Sequence, residues 1–263
     1  MKQILKNLLF SIAPTQMAII QSVRSRKRSH ALIKEWGLLD LNEKLKTKFQ
    51  NVVQSGPFAG MKLSPEAFQE HVGPFLLGTY ESELFPAWEV ILGKRYTQII
   101  DIGCKFGYYA IGLAIKYPNA TVHAFDIDPW AKSATEEMSK VNGVKNLQVH
   151  GFCDARWIQA NLKPNAFLIS DCEGYEKVLF SNEFGPNGKT MTAIIETHDC
   201  MVAGASKQVR SALDGSHSVA TFCDPWSGVY PFDLGFLTGQ EKEKAIREIR
   251  PEQEWLLCLP NAS

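Results

Sequence analysis

Five short segments carry the side chains able to do chemistry: Asp101-Ile-Gly103-Cys-Lys-Phe-Gly107, Asp126-Ile127-Asp128-Pro129, Cys153-Asp154, Asp171-Cys-Glu173-Gly174 and Glu196-Thr-His198-Asp199. Each contains an acid. Carboxylates gathered in one cleft repel one another, so their accumulation needs a ligand or partner to offset it. Asp101 opens a D-x-G-x-x-x-G loop, in which glycines let the backbone turn tightly and approach a ligand. This is not the G-x-G-x-x-G that seats a pyrophosphate on a helix N-terminus. Asp101 would repel a phosphate and suits a ligand bearing an amine or a sulfonium. Asp126, about 25 residues further on, can accept both hydroxyls of a ribose. Asp154 can accept from the exocyclic amine of an adenine. His198 titrates near neutrality and fits a general base, with Asp171 or Glu173 orienting it or acting as the base. Asp171, Glu173, His198 and Asp199 also offer the oxygen and imidazole donors of a divalent-metal site. Acid–base work is the preferred reading, and no metal is assigned. Structural roles compete with both: Asp101 and Glu173 as helix caps, Asp126 as a turn residue, His198 as the partner of a buried carbonyl.

The elements that must position these residues alternate. Short apolar strands are expected at 97–101, 121–127, 147–153, 166–171, 192–196, 218–223 and 255–259, with amphipathic helices at 108–116, 129–141, 206–213 and 240–250 between them. Such alternation implies an α/β fold with a mostly parallel sheet covered on both faces. Ligands of open α/β sheets bind beyond the carboxyl ends of the strands, where the strand order switches. All five acidic segments fall at such ends. The set Asp101, Asp126 and Asp154 describes S-adenosylmethionine better than a nicotinamide cofactor. Upstream, residues 31–50 and 81–92 read as helical, and the Gly- and Pro-rich stretch 51–80 as a covering segment. The domain division is therefore a helical N-terminal extension, 1–77, and a Rossmann-like body, 78–263.

The 263 residues carry 28 basic and 28 acidic side chains, with 45% apolar and 21% charged residues. That balance excludes a disordered chain and argues against a general nucleic-acid binder. The neutrality hides an asymmetry. Lys2, Lys6, Arg24, Arg26, Lys27 and Arg28 precede any acid, which leaves the body mildly acidic. Residues 1–12 have apolar positions at helical spacing, interrupted by Pro14, and Met17 to Ile20 form a second apolar patch ahead of the basic cluster. Three readings stand for this arm: packing on the body, peripheral contact with an anionic membrane through residues 1–30, or a mitochondrial presequence. The six cysteines have no C-x-x-C spacing and read as reduced thiols of a cytoplasmic protein, packed near strand ends. Phe222, Trp226, Tyr230, Phe232 and Phe236 form either an acceptor pocket or a hydrophobic cluster under a long connection.

The segments IIDIGCKFGYYAIGLA, VHAFDID and ISDCEGYEKVLF resemble the class I S-adenosylmethionine-dependent methyltransferases, and the D-x-E-G-Y-E run followed by I-I-E-x-H-D is similar to their FkbM-like branch. The resemblance covers about residues 78–200. It implies a seven-stranded sheet with one antiparallel strand, and methyl transfer to hydroxyls of sugars or other small metabolites. Carried over residue by residue, Asp101, Gly103 and Gly107 hold the methionine end, Asp126 and Ile127 the ribose, and Asp154 lies near the adenine. Tyr80 and Glu81 belong to a stretch that closes over the cofactor, and Asp171 borders it. Cys104-Lys105 departs from the Ala-Asn common in the family; Lys105 must point away or pair with an acid such as Asp171 or Glu173. An N-methyltransferase, a nicotinamide oxidoreductase and a non-catalytic binding module of the same fold are the alternatives.

Overall fold

The computed structural model describes residues 14–224, 230–248 and 253–261. Helices α1 (Pro14–Glu35) and α2 (Leu38–Phe49) are followed by α3 (Gly73–Leu77) and α4 (Phe85–Leu92). The alternating part then runs β1 (Gln98–Ile102), α5 (Tyr108–Lys116), β2 (Thr121–Phe125), α6 (Pro129–Asn142), β3 (Leu147–His150), α7 (Ala155–Asn161), β4 (Phe167–Ser170), α8 (Glu176–Leu179), α9 (Gly185–Gly188), β5 (Thr192–Thr197), α10 (Ala205–Leu213), β6 (His217–Phe222), α11 (Gly239–Ile246) and β7 (Glu254–Pro260). The helix expected over 31–50 is two helices. Gly37 takes a left-handed φ of 64° and breaks it, a conformation that costs glycine little.

The sheet order is β3-β2-β1-β4-β5-β7-β6. β1 to β5 pair in parallel, and β7 is antiparallel to both β5 and β6. This is the arrangement with one antiparallel strand that the resemblance implies. Strand order reverses between β1 and β4. Side chains alternate between two buried faces: Ile99, Phe167, Ile169 and Ile194 join one core, and Ile100, Leu168 and Ile195 the other. Burial on both faces explains why these strands read as continuous apolar runs.

The first core extends without interruption into residues 33–77, so the N-terminal segment packs as part of the body. Phe58 is its main anchor. It is fully buried, with Trp88 and Tyr108 edge-on at 5.3 and 5.4 Å. A Cβ at Gly112 would lie 2.3 Å from its ring, so the glycine in α5 makes room for it. Burying such a ring contributes about 2–3 kcal/mol. The inner half of α1 packs on the body as well, while Ile19, Ile20 and Val23 are exposed. Residues 1–13, with the first expected helix, lie outside the described residues. No described helix is long and apolar enough to cross a membrane.

Candidate functional site

A cavity of about 350 Å³ opens over the carboxyl ends of β1, β2, β4 and β5, at the reversal in strand order where α/β folds bind ligands. Of the expected site residues, Tyr80, Glu81, Gly103, Asp126, Ile127, Asp171, Glu173 and His198 line it. The loop after β1 is fixed by two amides: Gly103 and Cys104 both donate to the Phe125 carbonyl, at 2.8 and 3.0 Å. Gly103 has φ 89°, and a Cβ there would sit 1.7 Å from the Asp171 carbonyl oxygen. Only glycine permits that approach of the β1 and β4 ends. Asp126 receives the Lys105 amide on Oδ2 at 3.0 Å and the Asp128 amide on Oδ1 at 2.8 Å. Burial raises its carboxyl to about 6 despite those amides, which pull it down. Each oxygen keeps a lone pair for a further donor.

Three expected cofactor residues do not line the cavity. Asp154 caps α7, its Oδ1 accepting from the Trp157 amide at 2.8 Å; Phe152 and Cys153 form the wall there instead. Gly107 packs against α6, where a Cβ would meet Thr135 at 2.9 Å. Asp101 lies sealed behind the wall, 2% exposed, and its Oδ2 has no hydrogen-bond partner. Burial, then the nearby Asp171 charge, pushes its carboxyl up to about 8. At neutral pH Asp101 is a protonated acid, not the anion expected from its residue type.

His198 is the second correction. It is 1% exposed and enclosed by acids. Its Nδ1 lies 3.1 Å from Glu176 Oε1; its Nε2 lies 3.3 Å from Glu196 Oε2 and 3.4 Å from Asp171 Oδ1. Its backbone amide also donates to Glu176 Oε1, at 2.7 Å. Burial alone would lower its pKa, but Glu176 and Glu196 outweigh burial and hold it well above the ordinary value. With no cation among them these acids favour the protonated ring, so His198 is not the near-neutral base that its position in the sequence suggests. Asp199, the other candidate ligand, turns away and accepts from the Gly204 and Ser206 amides at 2.8 and 2.9 Å.

The roof joins Lys105, singled out in the sequence, to Glu70, Ser29 and Arg26, whose roles sequence reasoning missed. Lys105 lines the cavity and pairs with Glu70 at 3.2 Å, with the Asp171 and Glu173 charges acting on it less strongly. Burial alone would raise the Glu70 carboxyl; Lys105, Ser29 and His30 outweigh it and hold it low. Ser29 donates to Glu70 Oε2 at 2.9 Å, and Arg26 reaches Asp128 at 3.3 Å while lying over the Trp130 ring. These contacts fasten α1 across the cavity. Among the described residues, six non-glycines have left-handed φ: Gln50, Asn51, Glu81, Lys105, Asn165 and Glu173. The three that are not amides, Glu81, Lys105 and Glu173, all line the cavity. Glu81 is held by the Tyr109 hydroxyl, which donates to it, and its own amide donates to Glu248 at 2.6 Å. Clustered backbone strain of this kind marks functional sites.

Two other groups prove structural. Cys153 and Cys172 line the cavity, and burial raises both thiols far from reactivity. Tyr230 and Phe232 stack at 5.3 Å, and Phe236 meets Phe49 at 5.9 Å. None of these rings, nor Phe222, is among the described residues that line the cavity, and Phe222 and Phe232 pack against the first core. Trp226 lies outside the described residues.

Comparison with known proteins gives weak sequence signals. No protein-family model matches the chain. The uncharacterized protein YbxB of Bacillus subtilis (strain 168) is 23% identical over 129 residues, which are 45% of this chain and 59% of that protein. The match thus spans under two thirds of the relative's length. Among solved structures, a putative O-methyltransferase from Klebsiella pneumoniae matches with TM-score 0.49 and 10% identity, over 90% of this chain and 97% of that one. An O-methyltransferase from Bacillus cereus, solved in complex with SAH, matches with TM-score 0.47 and 11% identity, over 85% and 90%. The decisive feature is the sheet order with β7 antiparallel. This is the class I methyltransferase fold.

Proposed function

We propose that the protein is an S-adenosylmethionine-dependent methyltransferase whose acceptor is a hydroxyl oxygen of a small molecule or glycan. The observation that carries this reading is the charge and place of the cavity. It lies at the strand-order reversal, and its walls hold Glu70, Glu81, Asp126, Asp128, Asp171, Glu173, Glu196 and Glu248 against Arg26, Arg28, Lys105 and His198. Such an excess of acid favours a cationic ligand over a phosphate-bearing one. The residues fit the cofactor. Gly103 lines the cavity without a side chain, so its backbone can lie against the methionine end, and the sealed Asp101 adds negative charge when ionised.

When bound, S-adenosylmethionine supplies a methyl group on a positively charged sulfur. Asp126 would accept the ribose hydroxyls with the lone pairs its amides leave over, and Ile127 and Phe152 would enclose the adenosine. Gly103 would lie against the methionine end. On the acceptor side, Glu173 would take the hydroxyl proton on its carboxylate, at a wall position set by its left-handed backbone. His198 and Glu176 would keep Asp171 in register beside it. Alignment of acceptor and methyl is the main contribution of such a site, worth up to ~7–11 kcal/mol. α1 and the Glu70–Lys105 pair would exclude water from above. An amine acceptor is the second reading, favoured by the acid surplus around Glu173 and Glu248; a panel of hydroxyl and amine compounds with labelled methyl donor separates the two.

The test is calorimetric titration with S-adenosylhomocysteine, beside Asp126→Ala. The expected result is micromolar binding, weakened at least about tenfold (~1.4 kcal/mol) in the variant. Equal affinity in both proteins, or no binding in either, would refute the reading.

A further inference from the structure

We propose that Asp171 Oδ1, Glu196 Oε2 and His198 Nε2 form a binding site for a first-row divalent cation, with Glu176 as the residue that orients the imidazole. The inference does not depend on the cofactor assignment; it rests on four features of this side-chain cluster.

The first is convergence. One oxygen from each of two carboxylates points at the same ring nitrogen, at 3.3 and 3.4 Å, and the three donor atoms all lie within 4.8 Å of one another. Ligand atoms bound at ~2.0–2.2 Å around one cation, at octahedral to tetrahedral angles, are about 2.9–3.5 Å apart. The two measured separations fall in that window.

The second is poor hydrogen bonding. Charge-assisted N–H···O bonds run to about 2.7–2.9 Å, so 3.3 and 3.4 Å are long. A single Nε2–H also cannot satisfy two carboxylates. Asp171 Oδ1 is shut off from solvent and has no hydrogen-bond partner. An unmet acceptor of that kind costs about 1–3 kcal/mol; a cation would satisfy it and displace the Nε2 proton to solvent.

The third is the far side of the ring. Glu176, fully buried, sits at 3.1 Å from Nδ1 and is itself pinned by the His198 amide at 2.7 Å. A carboxylate on the remote nitrogen, directing the near nitrogen to the ion, is the usual support of a metal-binding histidine.

The fourth is access. Asp171 is 29% exposed, and all three donor residues line the cavity, so an ion can enter and its open coordination positions would face the ligand space. Mixed carboxylate and imidazole donors suit manganese, iron, cobalt or zinc better than calcium or magnesium. The sequence suggested a different set; Glu196 replaces Glu173 and Asp199 as the partner donor.

The competing account is an ion-pair network in which His198 serves only as counter-charge to the acids. Manganese(II) alone, added to the full chain and followed by the loss of its free-ion paramagnetic resonance signal, separates the two. We expect one ion per chain with micromolar affinity, at least tenfold weaker in Asp171→Asn and in Glu196→Gln, and several-fold weaker in Glu176→Gln. Circular dichroism confirms that each variant is folded; Asp171→Asn, at the partly exposed position, serves as the variant least prone to unfold. Substoichiometric uptake at millimolar manganese, or parent-like affinity in a folded Asp171→Asn, would overturn the proposal. The readout is ion uptake, so it stands or falls apart from the cofactor titration.

Discussion

Binding a cation in the cavity should expel a proton from Asp101. Its carboxyl is raised from the ordinary 3.8 to about 8 by burial, with the Asp171 and Asp126 charges adding to the rise. At pH 7 it is then roughly nine-tenths protonated. A bound sulfonium and ammonium would offset the two neighbouring charges and favour the anion. S-adenosylmethionine binding at pH 7 should therefore release up to about 0.9 proton, falling to about 0.1 at pH 9. Asp126, at about 6, adds roughly a tenth of a proton at pH 7 at most. The assay is titration calorimetry in buffers of low and high ionisation enthalpy, whose difference in apparent heat counts the protons. Asp101→Asn should cut the difference to the roughly tenth of a proton left to Asp126. The sign for stability follows. The folded carboxyl binds its proton more tightly than the unfolded one, so stability is greatest below pH 4 on this account and declines as pH climbs towards 8. The full loss is of order 5 kcal/mol, and Asp101→Asn should recover most of it at pH 9. A proton count below about 0.2 at pH 7, or an unchanged count in Asp101→Asn, would refute the assignment.

Gly103→Ala should cost more than ~4 kcal/mol or prevent folding in urea titration, because its Cβ would overlap the Asp171 carbonyl. Gly60→Ala, which has open space around it and only φ strain, should cost about 1 kcal/mol; similar costs at both sites would contradict the close approach. Arg26→Ala, which frees α1 from Asp128 and Trp130, should speed cofactor dissociation several-fold in stopped-flow measurements, and an unchanged rate would show that α1 is not a closure. Glu176→Ala, which strips His198 of both its amide acceptor and its Nδ1 partner, should lower stability by about 3–5 kcal/mol. A melting curve like the parent's would show that the network is not coupled.

The parts of the fold visible in the sequence are those with local causes. Apolar runs ended by acids marked the central strands, because both faces of the sheet are buried there and β1, β2, β4 and β5 stop where the cavity begins. Asp126 and the Gly103 loop were readable for the same reason: strand, turn and ligand contact fall within a few residues. Asp154 and Gly107 show the limit of that logic. An aspartate one residue before a helix can cap it or face a ligand, and at Asp154 the nearby Trp157 amide takes the side chain. The state of His198 depends on Glu176, 22 residues away on another element, so the histidine's position says nothing of its proton. Glu70 and Lys105 meet across 35 residues of chain; a charged pair so distant leaves no period or spacing to read. The break at Gly37 was missed because a glycine inside a helical pattern is often tolerated.

The structure of the full chain with S-adenosylhomocysteine, determined by crystallography, tests the central claim most directly. The account predicts the ribose hydroxyls on Asp126, the adenine against Phe152 and Cys153, and the sulfur beside Gly103, turned towards Asp171 and Glu173. Electron density for the ligand elsewhere, or none in the cavity at saturating concentration, would contradict it.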